Sequence, residues 1–163
     1  MTDNLSKEIK LKALIVKRLI ETIDEKAAIV KSEIQLAIET RDNETKSNVG
    51  DKYETTREMM QLEIEKNMLQ LNKYDLQKNE LLKINIQKTH KKVELGSLVF
   101  TPENTYFISI GLGKIEIENE PVYCISLNSP IGKIIQDKKA GEKFNFQGKE
   151  IFITKIIWST FVN

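Results

Sequence analysis

Three carboxylates, Asp42, Glu44 and Asp51, fall within the stretch Arg41-Asp-Asn-Glu-Thr-Lys-Ser-Asn-Val-Gly-Asp51, which is otherwise made of polar and turn-forming residues. Hard carboxylate oxygens brought together in a loop suit Mg²⁺. The same residues suit a solvated loop with no ligand, and Asp51 also suits the cap of a following helix. Ser129-Pro130 is a helix-start signal, with Ser as cap and Pro in the first turn. His90, beside Lys91 and Lys92, reads as a solvent-facing group near a helix C-terminus, where positive charge is favoured. Cys124 alternates with apolar neighbours and reads as a small buried residue. One His and one Cys in the whole chain exclude a multi-His metal centre, a Cys-rich zinc site and an internal disulfide framework. Gly111-Leu-Gly113 lacks a following helix and reads as a turn between strands rather than a nucleotide loop.

The elements that must position these groups have two different periods. Before Pro102 there is no Pro, and before Gly96 the only Gly is Gly50; Lys, Glu, Leu, Ile and Gln dominate. These are mostly good helix formers. Ile9, Ala13, Val16, Ile20, Ile23, Ala27, Val30, Ile34 and Ala37 are spaced alternately by four and three, the a/d repeat of a coiled coil. Asp3 or Ser6 is placed to cap this helix. The stripe stops at Thr40, and 41–51 reads as a hairpin tip, with Asn48 or Gly50 supplying positive φ. The return helix is expected from about Lys52 to about Thr89, with Tyr53, Met60, Ile64, Leu71, Tyr74 and Leu81 on its inner face and Asn67 and Lys78 interrupting it. Leu62, Leu69 and Leu76 form a second stripe that faces a neighbour or another copy. Two helices joined by a short loop pack antiparallel, and an arm of this length reaches about 55 Å at 1.5 Å per residue.

Five of the seven Gly and all three Pro lie after residue 100, where β-branched and aromatic residues also concentrate. Strands are expected at Ser97–Phe100, Thr105–Ile110, Lys114–Glu118, Val122–Ser126, Phe144–Phe146 and Glu150–Ile157, with a short helix at Pro130–Gln136. The fold class is therefore α+β: a long antiparallel helical hairpin over 1–92, then a small domain of antiparallel strands with one short helix over 93–163.

The chain has 163 residues and a net charge of +1, so no strong overall field draws it to DNA or a membrane. No run approaches the roughly 20 apolar residues of a membrane span, and Met1–Lys10 has no apolar signal-peptide core. A cytoplasmic location is the expectation.

The segment Ile125-Ser-Leu-Asn-Ser-Pro-Ile-Gly-Lys-Ile-Ile135, followed by Lys138-Lys-Ala-Gly-Glu-Lys-Phe144, resembles the C-terminal domain of the bacterial Gre transcript-cleavage factors. Ser129-Pro130-Ile131-Gly132 and the Gly141-Glu142 turn are its most specific parts, and the match covers roughly 94–157. A long hairpin before that domain is the family's architecture, and Tyr53-Glu-Thr-Thr-Arg-Glu58 is similar to the family's Tyr, basic residue and Glu just beyond the tip. The resemblance implies an FKBP-like C-terminal domain. It also implies a monomer that binds bacterial RNA polymerase and inserts its hairpin into the secondary channel. There it contacts nascent RNA only indirectly and is not itself an enzyme. Asn128, Ser129, Pro130 and Ile131 would meet the polymerase. Asp42, Glu44 and Asp51 would be the catalytic tip acids, sharing a polymerase-held Mg²⁺ with no cofactor of the protein's own. The family's acid positions fall here on Lys46 and Val49, which departs from the pattern. A Gre-like regulator without cleavage, and a coiled-coil adaptor pairing through Leu62, Leu69 and Leu76, are the alternatives; an FKBP-type prolyl isomerase would need an aromatic-lined pocket that the spacing of Phe, Tyr and Trp158 does not define.

Overall fold

The structure, a computed structural model, describes residues 2–44 and 50–156. The chain is a long helical hairpin, α1 (Thr2–Glu44) and α2 (Asp51–Leu82), followed by a small strand-rich region. Among the described residues that region holds seven short strands and one helix: β1 (Leu98–Phe100), β2 (Thr105–Ile108), β3 (Gly113–Ile117), β4 (Glu120–Ile125), α3 (Pro130–Ile135), β5 (Lys143–Phe146), β6 (Lys149–Phe152) and β7 (Lys155–Ile156). The α+β class expected from composition is what the chain forms. Among the described residues no helix is long and apolar enough to cross a membrane.

The chain divides into two compact units, one of residues 20–79 and one of residues 1–19 with 80–163. In the first, the predicted stripe is the buried one: Ile23, Ala27, Val30 and Ala37 of α1, with Ile64 of α2. Small Ala at two of these positions lets the helices approach closely but buries little area. Asn67 occupies a buried position on the same inner face of α2, 5% exposed, and its amide nitrogen has no partner. Lys78, the other polar interruption, donates to both carboxylate oxygens of Asp24 at 2.7 and 2.9 Å.

In the second unit the buried line of α1 is displaced by one residue. Lys12, Ile15 and Leu19 are buried, whereas the predicted Ala13 and Val16, and Ile20 just across the boundary in the first unit, are only partly so. A one-residue shift is a rotation of about 100°. The mismatch between 3.5 and 3.6 residues per turn gives only about 20° per heptad, so drift does not explain it. The base of α1 serves a different interior from the rest of the helix.

Four helix boundaries differ from expectation. α1 runs on to Glu44, so residues 41–44 of the expected tip are helical. Asp3 and Ser6 lie inside α1 rather than capping it, because the helix already runs from Thr2. Asp51 is the first residue of α2, and the cap position falls on Gly50 at φ +86°, a conformation that glycine adopts without cost. The return helix stops at Leu82, seven residues early. There Asn85 turns the chain, its side-chain oxygen accepting the Gln87 N–H at 3.0 Å, an Asx turn that competes with helix.

The strands form a five-stranded sheet in the order β3-β4-β2-β1-β7 and a separate hairpin β5-β6. The sheet is mixed rather than wholly antiparallel, since β2 and β4 run parallel with Tyr106 opposite Tyr123 and Phe107 opposite Cys124. The reason is topological. The Gly111–Gly113 turn carries β3 past the adjacent place in the sheet, and β4 returns to fill it. The expected last strand is split in two: β6 pairs with β5, then Thr154 donates to the Phe100 carbonyl at 2.9 Å through both N–H and Oγ1 and turns the chain onto β1.

Both faces of the sheet are buried at its central strands β1, β2 and β4, while edge strand β3 is largely exposed. Val99, Tyr106, Ile108 and Ile156 join Val93, Ile131, Ile135, Phe144 and Ile153 in one core. Leu98, Phe107 and Cys124, opposite one another in register on the other face, are at most 1% exposed.

Candidate functional site

The helix α3 begins on a closely fitted turn. Ser129 caps it, its hydroxyl accepting the Gly132 N–H at 3.0 Å and donating to the Ser126 carbonyl at 2.7 Å, and Pro130 takes the first turn. Gly132 packs against the end of β4. A Cβ there would lie 2.0 Å from the Ser126 carbonyl oxygen and 2.9 Å from Leu127 Cα, so no other residue fits without moving backbone. The capping role of Ser129 is legible in the sequence; the steric role of Gly132 is not, although its place three residues after the cap is the available signal. Of the four residues proposed to meet a partner, Asn128 and Pro130 are exposed and Ser129 is half-buried. Ile131 is buried in the core, so its side chain anchors α3 and does not present a surface.

At the far end of the hairpin, Asp42 lies in the last turn of α1, exposed, with Arg41 Nε 3.0 Å from its Oδ1. Arg41 also donates to Gln61 Oε1 at 2.8 Å. Arg41, Asp42, Arg57, Glu58 and Gln61 line an open depression of about 330 Å³. The Arg57-Glu58 pair from the sequence echo thus shares a surface with Asp42. The side chains of Glu44 and Asp51, together with Lys46, Asn48 and Val49, lie outside the described residues, as does Trp158. Among the described residues no three of His, Cys, Asp and Glu converge as a metal site. Asp42 is engaged by a guanidinium, so a cation bound there would share the carboxylate with Arg41.

A third cluster has no signal in the sequence. Lys12 is 1% exposed and donates to the Lys88 carbonyl at 3.1 Å. Burial pushes its amine down to about 8. His90, expected in solvent, is 1% exposed, with Nδ1 2.8 Å from Glu94 Oε1 and Nε2 unpartnered. Burial lowers its pKa, and the hydrogen bond from His90 holds the Glu94 carboxyl below its usual range, helped by Lys88 at 3.1 Å. A neutral imidazole donating from Nδ1 is the state this geometry selects. The cluster braces the irregular junction after α2, where a carbonyl freed from helix needs a donor. Lys12 is too enclosed to meet a substrate. A cavity of about 310 Å³ adjoins this cluster, lined among the described residues by His90, Lys91, Lys139, Ala140 and Ile156.

No protein-family model matches this chain, and no curated protein matches it either.

Proposed function

We propose that this protein is a Gre-like regulator of bacterial RNA polymerase. Its hairpin enters the secondary channel while the Asn128–Pro130 turn and α3 dock on the channel rim. One observation supports this most directly: a long helical hairpin precedes a small α+β region whose single short helix starts at Ser129-Pro130-Ile131-Gly132. The narrow hairpin suits reach, and the rigid turn at α3 suits docking. In this reading the protein is not an enzyme and holds no cofactor of its own. It stimulates the polymerase's own cleavage of backtracked RNA, with Asp42, Glu44 and Asp51 completing the shell of an Mg²⁺ that the polymerase already holds.

The Arg41–Asp42 pair favours a second reading: a channel-binding regulator without cleavage, whose tip meets the polymerase through charge pairing. Both readings place the protein where the polymerase is, in the cytoplasm.

The deciding measurement is RNA length in a backtracked elongation complex with and without the protein. Shortening from the 3′ end, lost when Asp42, Glu44 and Asp51 are together replaced by Ala, supports the first reading. Binding without shortening supports the second. No binding of the intact protein to the polymerase overturns both.

A further inference from the structure

We infer that the outer face of α2 pairs with the same face of a second copy, antiparallel and centred on Leu69. Leu62, Leu69 and Leu76 are 66%, 72% and 66% exposed. Seven-residue spacing aligns them along one side of the helix over about 21 Å. This side is opposite the buried Ile64 and Asn67, so the hairpin's own seam leaves it uncovered. Leucines repeated at one heptad position, with Glu65, Lys66, Asn72 and Lys73 between them, form a helix-pairing pattern, unlike scattered single ones.

The charges on that line choose the occupant. Glu65 and Lys73 lie four residues either side of Leu69. In an antiparallel pair about Leu69, each Glu65 meets the second copy's Lys73, and each Leu62 meets the second copy's Leu76. In a parallel pair, Glu65 would meet Glu65 and Lys73 would meet Lys73, and like charges directly opposed are unfavourable. Glu65 accepts from Gln61 within its own helix at 3.0 Å, and its carboxylate has acceptor capacity for a lysine besides. Further out the same register sets Glu58 against Glu80, which confines the pairing to the leucine segment. A contact of this length falls at the small end of specific interfaces, so the pairing is weak and the dilute protein is monomeric.

The inference stands apart from the polymerase reading because its test contains no polymerase. Sedimentation equilibrium of the intact protein should show the mass rising from 18.8 kDa towards twice that value as concentration increases. Lys73→Glu should weaken association about tenfold, since two ion pairs per dimer become repulsions. Glu65→Lys combined with Lys73→Glu should restore it. Leu69→Cys, on the symmetry axis, should form an intermolecular disulfide under mild oxidation with diamide, while Cys124 stays unreacted. The substituted residues are exposed, and unchanged helical circular dichroism would confirm that each variant folds. A protein monomeric at its highest soluble concentration overturns the inference. So does a dimer indifferent to Lys73→Glu, or one that the Leu69→Cys variant fails to cross-link, since either places the contact on another face or in another orientation.

Discussion

The two units bury their apolar residues by different means. The sheet-bearing unit has a core on both faces of a five-stranded sheet, with Phe107, Ile108, Leu98 and Val99 completely excluded from water. The hairpin unit has a single seam, and its large apolar residues are often on the outside: Ile29, Leu36, Leu62, Leu69 and Leu76 are all at least 60% exposed. Each fully buried aliphatic or aromatic side chain contributes about 1.5–3 kcal/mol. A seam of Ile, Val and two Ala with an Asn among them therefore secures far less per residue than the sheet. The difference teaches that stability is concentrated near the sheet and that the hairpin is built for length. Local opening should start in the hairpin.

That contrast can be broken most sharply at Gly132. Gly132→Ala forces a Cβ to within 2.0 Å of a backbone oxygen, so the turn must shift. We expect a loss of about 3 kcal/mol or more, read as a lower urea midpoint for the near-ultraviolet signal, with most helical signal kept. Phe107→Ala should cost about 3–5 kcal/mol in the same measurement through the cavity it leaves. Equal effects of these substitutions on the hairpin's amide exchange would mean that the units unfold as one.

Asn67→Leu tests the other side of the comparison. It replaces an unpartnered buried amide with an apolar side chain and should stabilise the hairpin by about 1 kcal/mol, seen as slower amide exchange around residues 60–71. No gain would show that the amide has a solvent partner. Lys12 supplies a pH test. Its amine titrates near 8 in the folded protein and at 10.5 when unfolded, so between those values the unfolded chain binds more protons. Stability from this group is constant below about pH 8 and increases as pH rises towards 10.5. Denaturant midpoints across that range should show the rise, and Lys12→Met should remove it. The smallest effect is expected at Asp24–Lys78, an ion pair at 2.7 Å with both side chains substantially exposed; Asp24→Asn should change stability by less than about 1 kcal/mol.

The architecture is largely legible in the sequence because periodicity records which face is covered. From Ile23 to Ala37 the apolar repeat and the buried face coincide, with Ile34 half-covered. Below Ile23 the repeat continues in the letters while the buried side moves to Lys12, Ile15 and Leu19. No periodicity argument selects a lysine as a core residue, since its burial depends on a carbonyl 76 residues away. The burial of His90 is hidden for a different reason: its partner Glu94 is only four residues away, but both lie between the expected helix and the expected strand, where no period predicts which side is covered. The strands are found by composition, yet their order is not, because the insertion of β4 beside β2 is decided by tertiary packing rather than by local preference. At the candidate site, Ser129 and Pro130 declare themselves through cap chemistry. Gly132 does not, because a missing Cβ has meaning only beside the oxygen it spares. Of the tip acids, Asp42 alone has a described side chain, and its pairing with Arg41 is invisible in a run of loop-forming residues.

Cys124 has a further consequence. It is the only thiol, it is 1% exposed in the middle of the sheet, and burial pushes its pKa up to about 12. The native protein therefore offers an alkylating reagent almost no thiolate and no path to it, whereas the unfolded chain offers an ordinary cysteine. The rate at which a maleimide labels the protein is then a clock for opening of the sheet, and one free of any engineered probe. Fraying confined to residues 20–79 of the hairpin would leave that clock unchanged.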